Sequence, residues 1–209
     1  MTSTKEMARD EREGFASFLD GLTSQQWNSP TLCELWTVRE VAIHTVSYDE
    51  LTTAGLVGRF LKGRLNTDRI NAIGVADYSD RSPQQITVLI RSYAQPHGLT
   101  GGFGGRIALT DAMIHQQDIR RPLRLPREIP PARIATVLEF ATTARPLRAA
   151  PRIAGLTLTA TDVDWSSGAG PEVRGPAEPL LMAMVGRRGI TQELTGPGVE
   201  VLAARIAGG

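Results

Sequence analysis

Asp111 and His115 stand one helical turn apart, Asp118 continues the same stripe, and His44 lies far upstream in a chain with only three histidines. An acid, an imidazole and a second acid on one apolar helix face are costly to bury unless each is paired or bound to a metal. At about 100° per residue, Asp111, His115 and Asp118 fall within roughly 60° of one another. Ile107 and Ile114 flank that sector on one side, and Ala108, Ala112 and Ile119 on the other. Thr110, Gln116 and Gln117 then take the solvent side. His44 shares a face with Val41, Tyr48 and Leu51, at spacings of three, four and seven, and also points inward.

Two histidines satisfied by Asp111 and Asp118 inside a core would explain the pattern. A divalent cation held between two helices explains it more fully, because bundle cores are a common place for such sites. One carboxylate and two imidazoles suit Zn²⁺, with Fe, Ni or Mn as alternatives. Three protein ligands, His44, Asp111 and His115, leave an open position, which is the catalytic pattern. Asp118 is either a fourth ligand or, preferably, the acceptor that fixes the tautomer of a ligating histidine.

The elements that must position these residues are mostly helical. Residues 5–22 carry Met7, Phe15, Phe18, Leu19 and Leu22 at helical spacing. An irregular connector, 24–36, follows. Thr37 and Glu40 form a capping box that opens a helix expected to run to about Lys62, and Ser82-Pro83-Gln84-Gln85 opens another that ends near Pro96. Gly101–Gly105 reads as a hinge, since no Gly-Lys-Ser/Thr follows and no strand precedes it. The helix bearing Asp111 and His115 should span Arg106 to about Arg120, stopping before Pro122, and a further helix covers 132–144. After Pro151 the texture changes. Residues 155–162 alternate as a strand, 171–174 form a second short one, and 177–186 and 199–206 read as helices. The expected organisation is mainly α: a helical bundle over residues 1–150 and a small α+β domain over 151–209.

Composition excludes several classes. Net charge is +1 with interspersed signs, so neither nucleic acid nor an anionic membrane is indicated as a partner. Cys33 is the only cysteine, which rules out an intramolecular disulfide, and its neighbours Leu32, Leu35 and Trp36 favour a buried structural thiol. His97, between Pro96 and Gly98, fits a surface or capping role. No apolar run of about 18 residues occurs, so a cytoplasmic protein is expected. Only Lys5 and Lys62 among 23 basic residues are lysine, a bias that suggests a GC-rich genome.

Leu32-Cys33-Glu34-Leu35-Trp36-Thr37-Val38-Arg39-Glu40-Val41-Ala42-Ile43-His44 resembles a signature segment of the mycothiol-dependent maleylpyruvate isomerase family, a group of DinB-like metal-binding bundles. Asp111-x-x-x-His115-x-x-Asp118 resembles the acid-x-x-x-His-x-x-Asp motif of the same family. The tail is similar too, through Ala160-Thr161-Asp162, Trp165, Gly168 to Ala177, and Gly186-Arg187. Leu35 stands where the family has glycine, and Asp111 where it has glutamate, so ligation through Asp111 is either direct or through water.

The resemblance implies a DinB-like up-down four-helix bundle followed by a small α+β domain. It also implies His44, Asp111 and His115 as metal ligands and Arg187 as a catalytic arginine. Mycothiol would be the thiol cosubstrate, an electrophilic small molecule the substrate, and an actinobacterium the source. Function is then expected to be that of a metal-dependent thiol transferase or isomerase, as monomer or homodimer. The alternatives are a non-catalytic metal-binding stress or ligand-binding module, and a metal-assisted hydrolase with Asp118 as base.

Overall fold

The computed structural model describes residues 2–34 and 36–208; Leu35, one of the two departures from the family pattern, lies outside them. The chain forms two compact units, Met1–Pro126 and Arg127–Gly209.

The first unit runs α1 (Thr4–Asp20), α2 (Ser24–Trp27), α3 (Val38–Val46), α4 (Thr53–Lys62), α5 (Thr67–Ala76), α6 (Pro83–Ser92) and α7 (Arg106–Leu123). Helices α1, α3, α6 and α7 make the four-helix bundle, with α1 and α3 each packing on both α6 and α7. Phe15, Leu19, Val38, Val41, Ile43, Ile86, Ile90 and Ile119 fill its centre. The capping boxes form as their sequences dictate. The Thr37 side chain accepts from the Glu40 amide while Glu40 Oε2 accepts from the Thr37 amide at 2.7 Å, and Ser82 with Gln85 repeats the arrangement.

The single helix expected from Thr37 to Lys62 is two. Helix α3 ends at Val46, and Thr52 caps α4 by accepting from the Gly55 amide. A buried ion pair accompanies the break. Asp49 meets the Arg12 guanidinium of α1 and accepts from Thr100 Oγ1 at 2.7 Å, with the side chains of Arg12 and Asp49 nearly sealed from solvent. The break opens an excursion, α4 and α5, of which α5 returns to pack on α3.

Helix α7 begins at a tight 3₁₀ turn, Gly102–Gly105, in which Phe103, Gly104 and Gly105 take left-handed backbone conformations. At Gly105 glycine is required, since a Cβ at φ 91° would lie 3.2 Å from the Lys5 backbone. The solvent face expected of α7 is in fact buried: Thr110, Gln116 and Gln117 are all enclosed, and Gln116 Nε2 donates to the buried Glu11 of α1 at 3.2 Å. The helix also runs past Arg120. Pro122 sits in its last turn and Arg124 closes it in a left-handed conformation.

The second unit contains α8 (Pro131–Thr143), α9 (Ala149–Ile153), β1 (Thr157–Ala160), β2 (Ser166–Gly168), β3 (Glu172–Gly175), α10 (Ala177–Met184) and α11 (Val199–Ala207). The sheet order is β2-β1-β3, with β1 antiparallel to β2 and parallel to β3. Strand β2, three residues of Ser and Gly, is too short to show alternation in sequence. Helix α8, read from sequence as part of the bundle, packs its Ile134, Val137, Leu138 and Ala141 with α9 and α10, so this unit starts well before Pro151. Asp162 Oδ1 accepts from the Ala177 amide at 2.8 Å and starts α10. No helix among the described residues is long and apolar enough to cross a membrane.

Candidate metal centre

Three donors converge between α3 and α7. His44 Nε2 and His115 Nε2 each lie 3.5 Å from the same atom, Asp111 Oδ1, and the two imidazoles meet edge to face with centroids 4.9 Å apart. Burial decreases toward the carboxylate: the side chains of His44, His115 and Asp111 are 9, 12 and 34% exposed. Asp111 is thus the rim of the cluster and the two histidines its floor.

His115 is oriented from behind. Its Nδ1 donates to Asp118 Oδ2 at 2.9 Å, and the Asp118 side chain is completely buried. With the proton on Nδ1, the Nε2 lone pair faces Asp111 and His44. His44 is held differently. The Trp36 ring lies 5.0 Å from its ring and the Tyr48 ring 6.1 Å away edge-on, and its buried Nδ1 has no hydrogen-bond partner among the described residues. Tyr48 in turn donates to Asn71 Oδ1 at 2.5 Å, and the Arg59 guanidinium lies over its ring.

Charge coupling within the cluster is strong. Burial alone would raise the Asp111 carboxyl, but the charge and contacts of His115, then of His44, outweigh it and hold the group well below the usual carboxylate range. Burial alone would lower His115, and Cys33, Asp111 and Asp118 outweigh it and hold the imidazole well above its ordinary value. Burial, reinforced by the charge of Asp111, pushes the Tyr48 phenol up to about 12.

The donor set fits a divalent cation. A separation of 3.5 Å is long for a hydrogen bond. It matches the edge of a tetrahedron around an ion with ligand distances of about 2.0–2.2 Å, which is roughly 3.4 Å. His44, Asp111 and His115 have ligand atoms close enough together to share one ion.

One contributor was not visible in sequence. Cys33, expected as an inert core thiol, is only partly buried and donates its S–H to Asp118 Oδ2 at 2.9 Å, with Sγ 3.6 Å from His115 Nδ1. The loop that delivers it is tied to α7 by a bond from the Leu32 amide to the Asp118 carbonyl at 3.0 Å. That carbonyl is available because the residue four positions on is Pro122, which has no N–H to offer. Within the loop, Thr31 Oγ1 accepts from the Cys33 amide at 3.1 Å and donates to the Trp36 carbonyl at 2.9 Å. A single loop therefore backs both histidines, with Cys33 behind one and Trp36 beside the other.

His97 is exposed, stacks on Tyr93 and donates from Nε2 to the Asp49 carbonyl at 3.0 Å. Arg187 belongs to the second unit and is half-buried at the end of α10. Its amide donates to the Met182 carbonyl and that of Gly186 to Ala183, both at 2.9 Å, which closes the helix in a Schellman motif. Gly186 takes φ 91°, where a Cβ would strike the Arg152 guanidinium. Burial, with the neighbouring charges of Arg148 and Arg187, lowers the pKa of Arg152.

Fold and site together define a four-helix bundle with a histidine–carboxylate–histidine cluster between two of its helices, followed along the chain by a small α+β unit. Residues 8–95, less than half of the chain, match the mycothiol maleylpyruvate isomerase N-terminal domain. The matched segment contains His44 and ends before Asp111. A solved structure of the mycothiol-dependent maleylpyruvate isomerase is similar, with a TM-score of 0.53 at 11% identity over 93% of this chain and 91% of that one. A variant of that enzyme with one histidine replaced by alanine gives 0.51 at 12% identity, with the same coverage. At these identities the likeness is one of fold. Comparison with curated protein sequences gives no match.

Proposed function

We propose that this protein is a mycothiol-dependent isomerase or transferase whose metal is held by His44, Asp111 and His115, with zinc the best fit to the donor set. The observation that carries the reading is the convergence of both Nε2 atoms on Asp111 Oδ1 at 3.5 Å, with Asp118 fixing the proton on the far nitrogen of His115. A divalent cation bound there supplies Lewis acidity that lowers the pKa of a thiol, so that a thiolate is delivered near neutral pH.

The protein's own residues prepare that site. Asp118 holds the His115 proton on Nδ1 and leaves Nε2 as a donor. Trp36 and Tyr48 wall His44 against water, and the open side beside Asp111 is where a small thiol enters. Arg187, carried by the second unit, binds the carboxylate or developing enolate of an electrophilic substrate, and maleylpyruvate is the first substrate to try. Nucleic acid and membranes have no part in this reading. A cytoplasmic location and a monomeric or homodimeric state accompany it. A hydrolytic alternative lacks its base, because the Asp118 carboxylate is sealed from solvent and already accepts from His115 and Cys33.

Isothermal titration of mycothiol into zinc-loaded protein tests the proposal. Binding that vanishes when the metal is stripped by a chelator, together with turnover of maleylpyruvate, is the expected result. Metal-loaded protein that ignores millimolar thiol would leave a metal-binding module without this chemistry.

A further inference from the structure

Cys33 and His115 share one oxygen. Asp118 Oδ2 accepts from the Cys33 thiol and from His115 Nδ1, each at 2.9 Å, and no part of the Asp118 side chain reaches solvent. A buried carboxylate without water depends on its donors for charge balance, so each donor limits how strongly it can draw on the other. The thiol is not there by chance packing. Its residue is fixed by the Leu32–Asp118 backbone bond on one side and by the Thr31 hydroxyl on the other.

We propose that Cys33 is a positioning residue for the metal centre, acting through Asp118 to set the orientation and donor strength of His115. This rests on the reading that His115 is a metal ligand. The thiol holds the carboxylate in the plane that His115 requires. Removing the S–H leaves Oδ2 with one donor fewer and frees the carboxylate to rotate. The effect then reaches the metal only by way of Asp118, which makes the proposal testable by a cycle.

Zn²⁺ affinity by chelator competition, and the visible spectrum of the Co²⁺-substituted protein, are measured for wild type, Cys33→Ser, Cys33→Ala, Asp118→Asn and the Cys33→Ala/Asp118→Asn double variant. Loss of an outer hydrogen-bond partner of a metal ligand typically weakens the metal about 10- to 100-fold. Asp118→Asn should fall in that range, and Cys33→Ala, one bond further out, should lose about three- to tenfold. Cys33→Ala should also shift the cobalt bands. Cys33→Ser keeps an O–H donor and should stay within about twofold of wild type. In the Asp118→Asn background, Cys33→Ala should add nothing. Equal losses in both backgrounds, unchanged affinity in Cys33→Ala, or failure of serine to rescue would overturn the role. So would a sulfur-to-cobalt charge-transfer band in wild type, which would make Cys33 a ligand. A wild type that binds neither ion removes the metal centre itself, whereas a wild type that binds while Cys33→Ala is unchanged removes only this role.

Discussion

The two histidines of the cluster face the same carboxylate but are supported by opposite means. Behind His115 is a polar chain, Asp118 and then Cys33, whose hydrogen bonds fix a tautomer. Around His44 are Trp36 and Tyr48, which fix a ring position and leave Nδ1 without a partner. Hydrogen bonds specify where a proton sits, whereas aromatic packing specifies only where atoms sit. In the proposed metal centre His115 is therefore the electronically defined donor and His44 the sterically defined one.

Removing each ligand should break that comparison most sharply. With about 10–16 kcal/mol available to a well-formed zinc site, loss of one ligand of three is worth roughly a thousand-fold in affinity. His115→Ala should remove Zn²⁺ binding from the range a chelator competition can follow, since it also strands Asp118. His44→Ala should leave weak, measurable binding. Equal residual affinities would mean that the polar chain contributes nothing specific.

A smaller effect comes from pH. In the metal-free protein Cys33, Asp111 and Asp118 outweigh burial and hold His115 protonated above its ordinary pKa. Stabilisation by its cation is therefore complete below about pH 6.5 and is lost as pH rises through the raised folded value. A metal must displace that proton, so Zn²⁺ affinity should climb about tenfold per pH unit across the same interval and level off above it. Chelator competitions at a series of pH values check the slope, and a flat profile would contradict His115 as a ligand.

On the aromatic side the expected effect is smallest. Tyr48→Phe keeps the ring beside His44 and deletes the hydroxyl that donates to Asn71. It should lower thermal stability by about 1 kcal/mol and leave zinc affinity within about twofold. A tenfold loss of metal would show that Tyr48 acts on the site through its hydroxyl.

The readability of the sequence divides along the same line. His44, Asp111, His115 and Asp118 were legible because helical periodicity and capping boxes are local, and periodicity alone set them on facing helices. Features that depend on distant partners were not legible. Asp49, just past the end of α3, pairs with Arg12 and Thr100, and nothing near Asp49 in the chain says so. Gln116 looks solvent-facing until Glu11 is brought against it from α1. Cys33 has apolar sequence neighbours, and its partner Asp118 is 85 residues away. Helix α8 has the pattern of a bundle helix, and only its apolar partners in α9 and α10 assign it to the second unit.

Pro122 has a consequence for the order in which the site can be completed. It deprives α7 of one internal hydrogen bond, so in isolation the helix carries an unanswered carbonyl at Asp118. The Leu32 amide answers it, and the docking loop brings Cys33 and Trp36 in the same movement. The last turn of α7 and the backing of both histidines are thus one cooperative event. A nascent chain can complete that backing of His44 and His115 only once α7, through Pro122, has emerged to receive the loop.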